Sequence, residues 1–131
     1  EARIALSNHD DGIEYISNLI IEKTESDNLI LKMGADGFIT YSRQEDGEMF
    51  ARQHFPALTV NPVDVTGAGD ALIAALTVGV TQGFSLMQAS ALGCCVAAIA
   101  VQTVGNRPIS LSQVKEYYLQ QIGSESTDYA V

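Results

Sequence analysis

From Ala71 to Asn106 the chain carries no charged side chain. An uncharged run of that length belongs in a membrane or in a protein core. Gly79, Thr81, Gln82 and Gly83 divide it into two pieces, each shorter than the ~20 residues a helix needs to span a bilayer. The pattern therefore predicts two buried helices, one over residues 67–80 and one from Phe84-Ser85-Leu86 to Val101. Ala89, Ala91, Gly93, Ala97 and Ala98 give the second helix small side chains, so a neighbouring helix or sheet can come close. The remaining elements must cover this pair.

The residues leading into the run, Asn61-Pro62-Val63-Asp64-Val65-Thr66-Gly67-Ala68-Gly69-Asp70, are polar and glycine-bearing. Thr66 is the expected N-cap, satisfying one of the amides that a helix start leaves unpaired. Gly67 and Gly69 have no side chain to hold a ligand away from those amides. Bare N–H groups at the positive end of a helix suit an anion, phosphate above all. Asp70, one turn inside the helix, would repel a phosphate that merely rested there. It suits a phosphoryl group in transit, beside a hydroxyl that must lose its proton. Each part also has a plainer reading: Gly-x-Gly is a common tight turn, and an acid in a first helical turn is favourable against the dipole. Two other phosphate motifs fail. The third small residue of a dinucleotide fingerprint would fall at Leu72, and no Gly-Lys-Ser/Thr follows as in a P-loop.

The string Asp64-Val65-Thr66-Gly67-Ala68-Gly69-Asp70 resembles the C-terminal signature of the ribokinase-like, PfkB-type carbohydrate kinases, and the similarity can be followed from residue 1 to about residue 121. The resemblance implies that Asp70 is the catalytic base for the sugar hydroxyl. It implies that the amides of Gly67, Ala68 and Gly69 form the anion hole for the transferred phosphoryl group. ATP and Mg²⁺ are the implied cofactors, and a small sugar or sugar phosphate the acceptor. Lys32, Gly34 and Gly37 become candidate nucleotide contacts in a strand-Gly-x-x-Gly-strand unit. Cys94 falls on the helix that lines the adenine pocket, where several relatives carry a larger polar residue. Potassium-activated relatives hold a monovalent cation through the loop after that helix. Carried over, its ligands are the Asp64 side chain and the carbonyls of Thr66, Ala100, Thr103 and Gly105, while Ile109 cannot supply the side-chain oxygen that sometimes completes the shell. An Asx turn at Asp64 and a plain helix-end loop are the alternatives. Glu1-Ala2 is similar to the end of the family's Asn-x-x-Glu motif at the magnesium–phosphate site, with the Asn preceding residue 1; a solvated terminal acid is the alternative. Val60-Asn61-Pro62-Val63-Asp64 and the last helix are similar to the heptose-phosphate kinase branch.

Other segments read from local pattern. Ile13, Ile16 and Ile20 repeat at helical spacing, with Asn8 or Asp10 as cap, and predict a helix over residues 10–25. Leu29–Met33 is expected as a buried strand, with the Lys32 head emerging at its end or meeting an anion there. Phe38–Ser42 is a second strand, and Asp46-Gly47 a hairpin turn into a third over 48–55. Gly34 and Gly37 read locally as a turn needing positive φ. Pro56–Val60 is expected as the strand feeding the signature. Ser110 caps a last amphipathic helix from Leu111, and a polar tail begins at Gly123.

Composition removes other classes. With 131 residues and 47% apolar content the chain is globular and long enough for a core. A net charge of −9 argues against nucleic acid or an acidic membrane surface, both of which call for basic patches. Adjacent Cys94 and Cys95 cannot easily meet disulfide geometry, so they read as small core residues in a reducing cytoplasm. His9 and His54 have no ligand-spaced partners and read as surface or packing residues. The expected fold is α/β: residues 1–122 as the C-terminal part of a ribokinase-like three-layer α/β/α sandwich, lacking the N-terminal half and β-lid, with 123–131 as tail. The implied activity is an ATP-dependent sugar kinase, the fragment being inactive alone. The alternatives are a nucleotide-binding module without chemistry and a self-associating structural fragment that forms a homo-oligomer.

Overall fold

The computed structural model describes residues 1–45, 47, 50–59, 61–105 and 107–125, with side chains described as far as Gln121. Asp46 of the expected hairpin turn, Glu48, Met49, Val60, Asn106 and residues 126–131 lie outside them. The described elements are α1 (Ala2–Ala5), α2 (Ile13–Thr24), β1 (Asn28–Lys32), a 3-10 turn (Gly34–Asp36), β2 (Phe38–Arg43), β3 (Phe50–Phe55), α3 (Ala68–Thr81), α4 (Leu86–Ala100) and α5 (Leu111–Glu125). They group into two compact units, Glu1–Phe55 and Pro56–Val131.

In the first unit the three strands form an antiparallel meander in the order β1-β2-β3. Its middle strand is the buried one, with Phe38, Ile39, Thr40 and Tyr41 all enclosed, whereas β1 is a half-buried edge. The apolar run Leu29–Met33 is therefore not the buried strand expected for it. An edge strand has one neighbour, so its apolar residues are covered less completely than those of β2. Ile21 of α2 packs on Ile39 and Tyr41, flanked by Leu29, Met33 and Phe50. Glu14 fastens the start of α2 to the sheet: one carboxylate oxygen lies 2.7 Å from Arg52 Nε and the other accepts from the Tyr41 hydroxyl at 3.2 Å. Helix α2 starts at Ile13 with Gly12 as its N-cap residue, without a side-chain cap. Asn8 is not that cap, because its side chain is spent on Asp11, accepting the amide and donating to the carboxylate.

The second unit is built on the two apolar helices. Leu72, Leu76 and Gly79 of α3 face Ala89 and Gly93 of α4. A β-carbon placed on Gly79 would lie 2.9 Å from Ala89 Cβ, and one on Gly93 would lie 2.7 Å from Leu72 Cδ1. The small residues are thus what permits the close approach. Helix α4 begins in a capping box: Ser85 Oγ accepts the Gln88 amide at 3.2 Å and Gln88 Oε1 accepts the Ser85 amide at 3.0 Å. Ser110 and Gln113 make the same reciprocal pair at α5. Helix α5 passes through Gly123 to Glu125, beyond the point where the polar tail was expected to begin. Gly123 lowers helix propensity by only about 1 kcal/mol, which the preceding turns absorb. Pro56–Thr59 is not a strand. No described strand of this unit offers it a ladder, and it runs beside α4 instead, with Thr59 Oγ1 donating to the Ala98 carbonyl at 3.4 Å.

Candidate active site

The signature loop enters α3 through Gly67, whose φ of +79° is left-handed and would strain a residue bearing a Cβ by roughly 1–2 kcal/mol. Gly67, rather than Thr66, is the N-cap residue, and no side chain caps the helix. The reason lies two residues upstream. Asp64 Oδ1 accepts the Thr66 amide at 2.9 Å, closing an Asx turn, and the Thr66 hydroxyl also bonds that carboxylate instead of capping the helix. The first intrahelical bond runs from the Ala71 amide to the Gly67 carbonyl at 2.9 Å, while the Ala68 amide reaches back to Val65 at 3.3 Å. The amides of Gly69 and Asp70 precede that first bond, where an α-helix supplies no partner of its own. The Asp70 side chain is exposed in the same turn.

Asp64 also ties this loop to the end of α4. Its second oxygen accepts the Gly105 amide at 3.1 Å, and the amides of Val63 and Asp64 both donate to the Val101 carbonyl, at 2.7 and 3.1 Å. The Thr66 backbone amide, with smaller help from the Thr66 hydroxyl and the Gly105 amide, bonds the ionised carboxylate and holds Asp64 below the usual range. The Asx turn is therefore present. Thr103 Oγ1 approaches the Ala100 carbonyl at 3.5 Å on the same loop. Thr66 and Gly105 thus meet Asp64 through their amides, while Thr103 turns to Ala100 at the end of α4. A carboxylate has about four lone-pair positions, so these two N–H bonds leave Asp64 capacity for a further partner.

The nucleotide-side candidates lie in the first unit. Glu1 and Lys32 line one cleft with Arg3, Ile13, Ile16, Leu31 and Met33. Lys32 is exposed at the end of β1, as its desolvation cost requires. Arg3 donates to the carbonyls of His9 and Asp11 at 3.2 and 2.7 Å, holding α1 to the segment before α2. Gly34 and Gly37, at φ of +62° and +84°, bracket the 3-10 turn that follows the strand. The Met33 amide closes that turn onto the Gly37 carbonyl at 2.8 Å. His54, assigned by its sequence context only to surface or packing, reaches the same turn: Nε2 lies 2.7 Å from the Asp36 carbonyl. A carbonyl oxygen only accepts, so Nε2 carries the proton. A single histidine with no motif around it gave no signal of this role.

Cys94 is a core residue of the second unit. It is 9% exposed within α4, with Sγ 4.0 Å from the Pro56 carbonyl, and offers a ligand little surface. Burial, and secondarily Cys95, pushes its thiol up to about 12. Burial likewise raises the Tyr117 hydroxyl beside the two thiols. Among the described residues no group of three or more His, Cys, Asp or Glu side chains could hold a metal ion. Among them, too, no helix is long and apolar enough to cross a membrane.

Comparison with known proteins bears on these assignments. The chain is 26% identical over 115 residues to the bifunctional protein HldE of Pelobacter propionicus, covering 87% of this chain and 22% of that protein. It is 26% identical over 109 residues to the ATP-dependent 6-phosphofructokinase isozyme 2 of Mycobacterium tuberculosis, covering 83% and 30%. A ribokinase crystal structure from Thermotoga maritima superposes with a TM-score of 0.75 at 24% identity, over 90% of this chain and 38% of that one. The fold is accordingly part of the ribokinase-like architecture, and the chain spans less than two fifths of the length of each of these proteins. The family model described as pfkB family carbohydrate kinase matches residues 1–113. On that match the chain belongs to the pfkB family of carbohydrate kinases.

Proposed function

We propose that the protein carrying this chain transfers the γ-phosphoryl group of ATP to a hydroxyl of a small sugar or sugar phosphate in the cytoplasm, and that Asp70 accepts the hydroxyl proton. The observation that carries the reading is the pairing, in the first turn of α3, of an exposed carboxylate with main-chain amides that precede the first helical hydrogen bond. Amides of Gly67 and Gly69, and that of Ala68 on leaving its 3.3 Å bond to the Val65 carbonyl, would stabilise the charge that spreads over the equatorial oxygens in transfer, a positioning and electrostatic task. Lys32, Gly34 and Gly37 would meet the nucleotide, and Glu1 would lie near its magnesium. Held near Glu1, Mg²⁺ would supply neutralisation of the phosphate charge. The Asp64 junction would favour K⁺. Family membership and the likeness to HldE and a phosphofructokinase support the sugar-kinase class.

General-base catalysis is typically worth about 10²–10⁴-fold. Asp70→Asn in the full-length protein should therefore lower kcat by about two to four orders of magnitude, while the MgATP dissociation constant, read by calorimetry, stays within twofold. Wild-type turnover in that variant would remove Asp70 from the mechanism. The chain alone spans a minor part of its relatives. A second reading applies to it in isolation: it binds nucleotide without turning it over.

A further inference from the structure

We infer that His54 is a positioning residue for the nucleotide loop, setting ATP affinity through the carbonyl of Asp36. The inference rests on the reading above, in which the Gly34–Gly37 turn meets ATP. His54 sits on β3 opposite Ile39 of β2, so its side chain shares a sheet face with Ile39, and one residue pair further along that face are Tyr41 and Arg52. Its neighbour Phe55 points the other way and stacks on Phe38 with ring centroids 5.1 Å apart, which fixes the alternation at the strand's end. From that anchored position Nε2 donates to Asp36 across 18 residues of sequence, at 2.7 Å.

The turn's remaining bonds are local to it, and at its base the Met33 amide donates to the Gly37 carbonyl at 2.8 Å. Inside it the Gly37 amide donates to Gly34 at 3.1 Å and the Asp36 amide to Met33 at 3.3 Å. Two glycines at positive φ flank it, and glycine gives up more backbone freedom on ordering than any other residue. Gly34, Ala35 and Asp36 are all exposed. A loop of this kind must be ordered when it binds phosphate or ribose, and a tether from the sheet lowers that cost in advance. His54 touches no reacting atom in this role. It acts through the peptide it holds.

The test is MgATP titration calorimetry on the full-length protein, with amide hydrogen exchange over residues 33–37 in the nucleotide-free state. One hydrogen bond typically contributes about 0.5–1.5 kcal/mol, equivalent to roughly a 2- to 12-fold change in an equilibrium constant. His54→Ala should weaken MgATP binding within that range and speed exchange in the turn. His54→Gln, whose amide nitrogen stands as many bonds from Cα as Nε2, should restore both. Unchanged affinity in His54→Ala, or a His54→Gln variant as impaired as alanine, overturns the inference while leaving the kinase reading intact. A wild-type protein that binds no MgATP overturns the nucleotide reading itself and the inference with it.

Discussion

The packing of α3 on α4 yields a test in which two opposing effects can be separated. Gly79→Ala should improve helix propensity by about 0.8–1.0 kcal/mol. Its new Cβ would nonetheless lie 2.9 Å from Ala89 Cβ and 3.3 Å from Ala89 Cα, and the obstacle is a residue with no rotamer to move. Overpacking of this kind typically costs about 1–3 kcal/mol, so the single variant should be destabilised by roughly 0–2 kcal/mol net. The companion Ala89→Gly loses propensity and a contact. In the double variant the methyl group has changed helices, the propensity terms cancel, and stability should return to within about 0.5 kcal/mol of wild type. Urea unfolding followed by far-UV circular dichroism gives the four stabilities. The coupling energy isolates the steric term and should be about 1–3 kcal/mol. Additivity within about 0.3–0.5 kcal/mol would show that the helices are not in that contact. Gly93→Ala is the contrast: its nearest obstacle, Leu72 Cδ1, is the end of a flexible side chain, so its cost should be the smaller.

Further outcomes follow from single sites. The Cys94 thiol, pushed up to about 12 by burial, should resist alkylation in the native chain at pH 8 and react once the chain is unfolded; equal rates would contradict its burial. Because the folded thiol holds its proton to higher pH, its contribution to stability is present below the unfolded pKa of about 8.5 and is lost as pH rises towards about 12. Asp64 has the opposite sign: its lowered value stabilises the fold above about pH 4 and that contribution disappears as pH falls further. Asp64→Asn should accelerate hydrogen exchange at Thr66 or Gly105, since its single amide oxygen can replace only one of the two carboxylate acceptors; unchanged protection at both would remove the bridge. Ser85→Ala should cost about 0.5–2 kcal/mol in urea unfolding, and a loss below that range would show that the cap is made up by water. The isolated chain should show no sugar-dependent ATP turnover, and measurable turnover would refute its assignment as an incomplete enzyme.

The elements most legible in the sequence are those whose physics is local. The uncharged run and its break at Gln82–Gly83 marked two helices, although Gly79 and Thr81 stay inside α3, and Ile73, Val78 and Val80 are exposed, so that helix is buried along one face only. Ser85 and Gln88 bound each other within a single turn, as did Ser110 and Gln113, so their caps needed no tertiary information. Gly34 and Gly37 took the positive φ that a tight turn required. The glycine-rich entry to α3 was equally readable, since its backbone demand is met by Gly67 itself.

Local readings erred where a competitor was available. Thr66 had the chemistry of a cap, but its hydroxyl as well as its amide bonds the Asp64 carboxylate two residues away. Pro56–Thr59 had strand-like residues and no ladder among the described residues to join. Leu29–Met33 had the apolar content of a central strand, and its place at the edge of the meander decided its exposure. The long-range links at the candidate residues, one within each unit, cross 18 residues from His54 to Asp36 and 41 from Asp64 to Gly105. Residue types declare what a side chain can donate, accept or bury within a turn or two of itself. Which distant backbone group it meets is chosen by the packing of whole elements, whose register no local pattern contains.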